Sequence, residues 1–204
     1  MFKGCNSLTQ APELPATTMA HSCYSYMFSE CNSLTDCPEL PATELAPYCY
    51  SDMFYRCARL SAATDLPASV MADNCYQFMF MDCSSLETAP ELSATTLANG
   101  CYLRMFSGTS LTQAPDLPAT TLANSCYTNM FNGCSSLNTI KIGYTGNFSG
   151  TGVPTDAFNN WVNGVSASGT LYYDGEDTTT GASAIPTGWE VRGSSWPGLT
   201  FTAE

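Results

Sequence analysis

The sequence predicts an α/β repeat solenoid, a horseshoe with short strands on its concave side, short helices on its convex side and a small mixed α/β cap at its C-terminal end. The main observation is a phrase containing Met-Phe that recurs along the chain at a nearly fixed period. A period of 20–50 residues indicates repeats that stack on one another. The spacing is 26 residues four times and then 25, at Met1, Met27, Met53, Met79, Met105 and Met130.

Composition supports a folded chain and excludes several partner classes. The chain has 204 residues and is 44% hydrophobic, which is enough to form a core. Its net charge is −12, from 18 acidic and only 6 basic residues. Nucleic acids and anionic membrane surfaces both attract clustered Lys and Arg, so neither is an expected partner. No apolar run approaches about 18 residues, so no insertion into a membrane is predicted.

The second half of each repeat predicts a short helix. In the repeat from Leu86 to Leu111, apolar residues stand at positions i, i+1, i+4, i+5, i+8 and i+9 counted from Leu97. That spacing places them on one face of a helix. Thr95 precedes the run and can act as its N-cap, and Gly108 follows it as a plausible stop.

The first half of each repeat predicts a short strand. Leu86, Ala89 and Leu92 would point inward, and prolines shorten the strand because they donate no backbone hydrogen bond. Neighbouring strands lie about 4.8 Å apart and packed helices about 8–10 Å apart, so the helical side would fan out. The period lies within the roughly 20–29 residues of leucine-rich repeats, which predicts a horseshoe. The prolines form two columns, at 12, 38, 90 and 115 and at 15, 41, 67 and 118.

The eleven cysteines follow the repeat rather than any metal-binding spacing. No CxxC occurs, the count is odd, and free cysteine behaves as a small apolar residue, so buried unpaired thiols are expected. Cys37 stands outside the columns, where other repeats have Ala. The two columns are Cys23, Cys49, Cys75, Cys101 and Cys126, and Cys5, Cys31, Cys57, Cys83 and Cys134.

One column of acidic residues is the candidate binding site. Each member precedes the inward-pointing Leu of a strand and is expected on the concave face. Five like charges about 5 Å apart repel by about 1 kcal/mol per neighbour in water, and folding does not require the arrangement. The column is interpreted as a contact for a basic protein surface or for Ca²⁺, with a solvated strand edge as the alternative. Its members are Glu13, Glu39, Asp65, Glu91 and Asp116.

Three other features have structural explanations that outweigh functional ones. The tyrosine column from Tyr24 to Tyr127 would lie in the core with its hydroxyls at the rim. The segment from Asp174 to Asp177 is a turn more often than a cation site. His21 has no partner nucleophile at a recognisable spacing, and no HExxH, GxSxG or P-loop motif occurs, so no enzyme and no cofactor are predicted.

The repeat phrase Leu-x-x-Ala-Pro-Glu-Leu-Pro-Ala-Thr-x-Leu-Ala-x-x-Cys-Tyr-x-x-Met-Phe-x-x-Cys resembles the BspA-like class of leucine-rich repeats. The resemblance covers about residues 1–142, although Met replaces the Ala of that class's "AF" pair and the strands are richer in proline. It implies a bacterial cell-surface or secreted protein that adheres to host or other extracellular proteins, and no catalytic residues. The matching positions in the third repeat are Met53-Phe54, Cys57, Leu60 and Leu66-Pro67.

The pattern changes near residue 142, which divides the chain into a repeat array at 1–142, of five repeats and a partial sixth, and a capping region at 143–204. The cap contains all three tryptophans and a further helix-like spacing from Pro154 to Val165. Large aromatic residues that end a repeat array are typical of a cap. Strands are predicted at 138–142, 170–173, 189–192 and 199–201.

Together these features predict a non-enzymatic binding module at the bacterial surface, with a structural spacer that displays another domain as the alternative. A binder would show varied aromatic or charged residues on one face, whereas a spacer would show a uniform face. Met1-Phe2 already fits the repeat, and no targeting segment precedes it. The chain is therefore expected to be part of a longer protein.

Overall fold

The computed structural model describes residues 1–193, and it contains no α-helix among them. The prediction of a horseshoe with helices on its convex side is therefore wrong. In place of each helix is a ten-residue run of turns, here called a turn segment, and successive segments stack to form coils 1 to 6. No helix able to span a membrane occurs in the described residues. The turn segments are 21–30, 47–56, 73–82, 99–108, 124–133 and 155–164.

Backbone hydrogen bonds in a turn segment alternate between two directions. The N–H of Cys23 bonds back to the carbonyl of Ala20 at 3.2 Å, which closes a four-residue turn. The next N–H, from Tyr24, crosses to coil 2 and donates to the carbonyl of Cys49 at 2.9 Å. Positions 2, 4, 6, 8 and 10 of coils 1 and 2 all donate to the following coil in this way. Each coil is therefore hydrogen-bonded to the next along the whole turn segment.

The turn segments cannot be helices because every fourth residue has a positive φ. In coil 3 these residues are Asn74, Phe78 and Asp82, at φ angles of 56°, 56° and 59°. A right-handed helix requires φ near −60° at every residue. The apolar pairs in the sequence repeat every 4.0 residues, and this turn geometry explains that period better than the 3.6 residues of a helix does.

The interior consists of columns of identical side chains from successive coils. Positions 3, 4, 7 and 8 of the turn segments point inward and hold Cys, Tyr, Met and Phe in coils 1 to 5. The Phe54 and Phe80 rings stack with centroids 5.5 Å apart, and the Tyr50 and Tyr76 rings with centroids 5.6 Å apart. These distances follow from coils joined by backbone hydrogen bonds. The 8–10 Å helix spacing used to predict convex and concave sides does not apply.

The tyrosine hydroxyls do not lie at the rim of the core, contrary to the prediction. Tyr50, Tyr76 and Tyr127 are buried, and their hydroxyl oxygens are buried without a hydrogen-bond partner in the described structure. Burial raises the pKa of the Tyr76 hydroxyl well above its usual value, since the charged form would lie in an apolar environment.

The proline-rich halves of the repeats form only single parallel bridges over most of the chain, here called the proline side. One row of bridges joins Gln10, Asp36, Ala62 and Thr88 of successive coils. Leu66 is bridged to Leu92 of the next coil. Prolines beside these positions remove ladder donors, which explains why no regular strand forms there.

Regular strands appear only where the prolines end. The strands are β1, Thr139–Lys141; β2, Thr170–Tyr172; and β3, Glu190–Arg192. They form one parallel sheet in the order β1-β2-β3, with Ile140 opposite Leu171 and Leu171 opposite Val191. The sheet therefore extends from the repeat array into the capping region. The strand predicted at 199–201 lies outside the described residues.

The helix predicted from Pro154 is also absent, and coil 6 takes its place. Here Phe158 and Trp161 replace the Tyr and Met of the earlier coils and close the aromatic columns. Trp161 is fully buried, and its indole N–H donates to the carbonyl of Ala184 at 2.8 Å. The N–H of Val162 donates to Ala182, so the 181–185 segment covers the end of coil 6.

All eleven cysteines are free thiols, and eight of them are buried. The Sγ atoms of Cys57 and Cys83 donate to the carbonyls of Phe28 and Phe54, at 3.1 and 3.0 Å. Burial raises the pKa of the Cys57 and Cys75 thiols to about 12. The predicted helix spacing between Cys49 and Cys75 does not exist, so hydrogen bonding and packing, and not separation, account for these thiols.

Candidate functional site

The acidic column lies on the proline side of the stack, and most of it is exposed. Glu13, Glu39, Asp65 and Glu91 are exposed, and Asp116 is half-buried. Successive members are close, because the N–H of Glu91 donates to a carboxylate oxygen of Asp65 at 3.0 Å. Since no helical side fans out, the predicted concave surface for the column has no basis.

The last member of the acidic column is neutralised by the sixth repeat. Lys141 stands 25 residues after Asp116 and approaches its carboxylate at 3.1 Å. No group of three or more His, Cys, Asp or Glu side chains that could hold a metal ion occurs in the described part of the chain. The calcium interpretation of the column therefore gains no support from its geometry.

A shallow apolar groove accompanies the acidic column in the first two repeats. Leu14, Pro15, Pro38 and Pro41 line it, with Glu13 and Glu39 at the same place. The prolines that shorten the strands thus also form an apolar surface beside the carboxylates.

The opposite side of the coils carries a second surface that the sequence reasoning missed. It is formed by positions 1, 2, 5, 6, 9 and 10 of the turn segments and is here called the turn face. Unlike the interior, it changes from coil to coil. Position 8 is Phe in five coils, whereas position 6 holds Tyr26, Asp52, Phe78, Arg104, Asn129 and Asn160 in turn.

Positive φ makes several turn-face residues conformationally costly. Asn, Asp and Gly adopt the left-handed region readily, whereas other residues pay about 1–3 kcal/mol. Tyr26, Tyr48, Arg56, Phe78 and Arg104 have φ angles of 56°, 56°, 58°, 56° and 53°. The signal in the sequence is the recurrence of Asn, Asp and Gly at every fourth residue of the later turn segments, where these bulky residues break the pattern.

A buried carboxyl group lies beneath the turn face. The Asp52 side chain accepts a hydrogen bond from the Ser51 hydroxyl at 2.6 Å, and the Gln77 side chain donates to that hydroxyl at 3.1 Å. Asp52 is only 7% exposed. Burial raises the pKa of its carboxyl group, and hydrogen bonds from Ser51 and Tyr26 oppose that shift.

Asp177 has a structural position rather than a cation-binding one. Its carboxylate accepts the N–H groups of Phe148 and Thr179, each at 2.8 Å. Those two bonds hold the pKa of the Asp177 carboxyl below its usual value against a smaller net effect of burial. The hydroxyl of Tyr173 donates to Gly146 at 2.8 Å and fixes the same loop.

Comparisons with known proteins provide no family for this chain. No protein-family model, no curated protein and no solved structure matches it. The resemblance of the repeat phrase to BspA-like repeats therefore stays a prediction from the residues, and the site must be argued from its own geometry.

Proposed function

We propose that this chain is a non-enzymatic protein-binding module that acts outside the cell, at a bacterial surface or after secretion, in adhesion to extracellular proteins. One observation carries the proposal: turn-face residues vary from coil to coil while the interior columns repeat. A scaffold of constant interior and changing exterior is the arrangement by which repeat proteins build extended binding surfaces.

The composition of the varied positions favours a protein ligand. Tyr, Phe and Arg are enriched among the residues that dominate protein–protein binding energy. Tyr26 is 45% exposed, and the Arg56 side chain is 59% exposed and lies over the ring of Tyr55, 4.9 Å from its centroid. Surface residues of this kind are available to a partner.

The acidic column is the observation that favours the alternative, a structural spacer. Its carboxylates recur in every repeat and keep the bridged edge charged, which limits edge-to-edge association. A spacer would tolerate loss of any turn-face side chain without loss of a binding activity.

Binding to immobilised extracellular-matrix proteins tests the proposal. We expect surface plasmon resonance against purified fibronectin, laminin and fibrinogen to give saturable binding to at least one of them. The matched control is a chain in which the exposed Tyr26 and Tyr48 are replaced by Asn, which suits their positive φ. Absence of binding to every protein of the panel would reject adhesion and favour the spacer.

A further inference from the structure

Bulky residues at positive φ are confined to one part of the turn face. In coils 5 and 6, the six positive-φ positions of the turn segments hold only small residues or residues that tolerate this geometry. In coils 1 to 4, five such positions hold large side chains instead. These five are Tyr26, Tyr48, Arg56, Phe78 and Arg104. Conformational preference therefore opposes large residues here and explains the residues in coils 5 and 6.

The costly residues lie beside further apolar side chains. The N–H of Phe78 donates to the carbonyl of Leu103 at 2.8 Å, and the N–H of Arg56 donates to Met81 at 2.9 Å. Phe78, Met81 and Leu103 are each only half-buried. An apolar centre thus lies between the two arginines across coils 2 to 4.

Half of the basic residues of this acidic chain flank that centre. The Lys3 ammonium lies 5.0 Å from the centroid of the Tyr26 ring. Arg56 approaches Asp82 at 3.4 Å while staying largely exposed. Arg104 is exposed and forms no ion pair within residues 1–193. The carboxylates of the proline side are attenuated by salt, whose screening length is about 8 Å.

We propose that the turn face of coils 1 to 4 is the contact surface for a protein segment that alternates carboxylates with apolar side chains, which rests on the binding function proposed above. The carboxylates pair with the Arg56 and Arg104 guanidiniums, which hold carboxylates in bidentate geometry. The apolar side chains cover Phe78, Met81 and Leu103. A sugar ligand would leave these apolar groups without a partner.

A double substitution separates this role from a structural one. In Phe78→Asn/Arg104→Asn, both positions receive the residue that Asn129 and Asn160 already supply at position 6 of coils 5 and 6. The probes are two immobilised synthetic peptides, one alternating Glu with Leu and the other alternating Lys with Leu. Glu39→Gln/Glu91→Gln, on the proline side, is the matched control.

We expect the parent to bind the Glu/Leu peptide, more weakly as salt rises, and to prefer it to the Lys/Leu peptide. The Phe78→Asn/Arg104→Asn chain should lose at least tenfold in affinity while its Tm stays constant or rises by about 2 °C or more. The control should bind as the parent does. Preference for the Lys/Leu peptide, unchanged binding by the double variant, or a fall in its Tm would each overturn the inference.

The matrix-protein panel distinguishes the two proposals. If the parent binds a panel protein and Phe78→Asn/Arg104→Asn binds it equally well, the binding function stands and this contact surface is wrong. If the parent binds neither peptide nor any panel protein, both proposals are rejected.

Discussion

At the scale of single residues, buried polar groups decide where this molecule loses stability. The Tyr76 hydroxyl is buried without a hydrogen-bond partner in the described structure, and the Asp52 carboxyl is buried among hydroxyl groups. A buried polar group without a partner costs about 1–3 kcal/mol. Both residues keep ring or chain contacts that a closely similar side chain would preserve, so each cost can be measured.

Tyr76→Phe is expected to stabilise the protein. The substitution removes the unpartnered hydroxyl and keeps the ring between those of Tyr50 and Tyr102. We expect a gain of about 1 kcal/mol, or a Tm higher by about 2–4 °C in thermal unfolding. Tyr24→Phe, in the partly exposed ring at the open end of the column, should change Tm less. A lower Tm for Tyr76→Phe would show that the hydroxyl has a partner.

Asp52→Asn is expected to remove a pH dependence of stability. The folded protein raises the pKa of Asp52 above its ordinary value of 3.8, so it binds that proton more strongly than the unfolded chain does. The stability gained from protonation is complete below pH 3.8 and is lost as pH rises through the folded pKa. The variant should therefore have a higher Tm than the parent near pH 7, with the difference narrowing towards pH 3.5.

The control for Asp52→Asn is Asp156→Asn, an exposed residue that also has φ of 56°. It accounts for the preference of Asn for positive φ. If both variants change Tm equally at every pH between 3.5 and 7, the buried charge of Asp52 is not the cause.

At the scale of the element, the turn segment shows how far the sequence could lead. The apolar positions were read correctly as one buried side, and the prolines were read correctly as shortening the strands. Only three pairs occur per segment, and over so short a run a period of 4.0 rotates by about 40° per pair on a helix and still fits one face. The distinguishing signal was the series Ser125, Asn129 and Gly133, which places residues tolerant of positive φ four apart.

The candidate site was harder to predict for a related reason. The acidic column repeats, so it was visible in the sequence. The turn face does not repeat, and without knowledge of the positive φ nothing marked Phe78 or Arg104 as costly. Their significance depends on a backbone conformation that apolar periodicity alone does not specify.

The thiol columns give a prediction for the same element. Native protein treated with iodoacetamide should be alkylated at Cys5 and Cys23, the two exposed cysteines, and spared at the eight buried ones. The buried thiols stay protonated, since burial raises the pKa of Cys49 to about 11 and that of Cys57 to about 12, and the thiolate is the reactive form. Mass spectrometry after digestion identifies the labelled sites. Denaturation before labelling should expose all eleven, and a count near one would mean that the cysteines pair.

At the scale of the whole molecule, stability depends on contacts between neighbouring coils. The N–H groups of each turn segment donate to the next, and interior side chains stack on their equivalents. In such arrays stability is approximately the sum of coil terms and nearest-neighbour interfaces. Coil 1 has a described neighbour on one side only, while coils 2 to 5 have two.

Hydrogen exchange should show this difference along the chain. We expect amides of 73–82 and 99–108 to exchange slowest and those of 21–30 fastest among the turn segments. Coil 6 serves as the internal comparison, because the 181–185 segment covers it and should slow its exchange relative to coil 1. Equal protection of all six segments would mean that the array opens as one unit.

The direction of the hydrogen bonds between coils has a consequence for the electric field of the molecule. In the turn segments the crossing N–H groups point towards the cap and their carbonyl acceptors point towards coil 1. Peptide units carry about 3.5 D each, and aligned units sum as they do in a helix. The stack therefore has a permanent axial dipole with its negative end at coil 1, where Lys3 lies against Tyr26. Besides its net charge of −12, the molecule has an electrical polarity that orients it, coil 1 foremost, in the field of a positively charged surface.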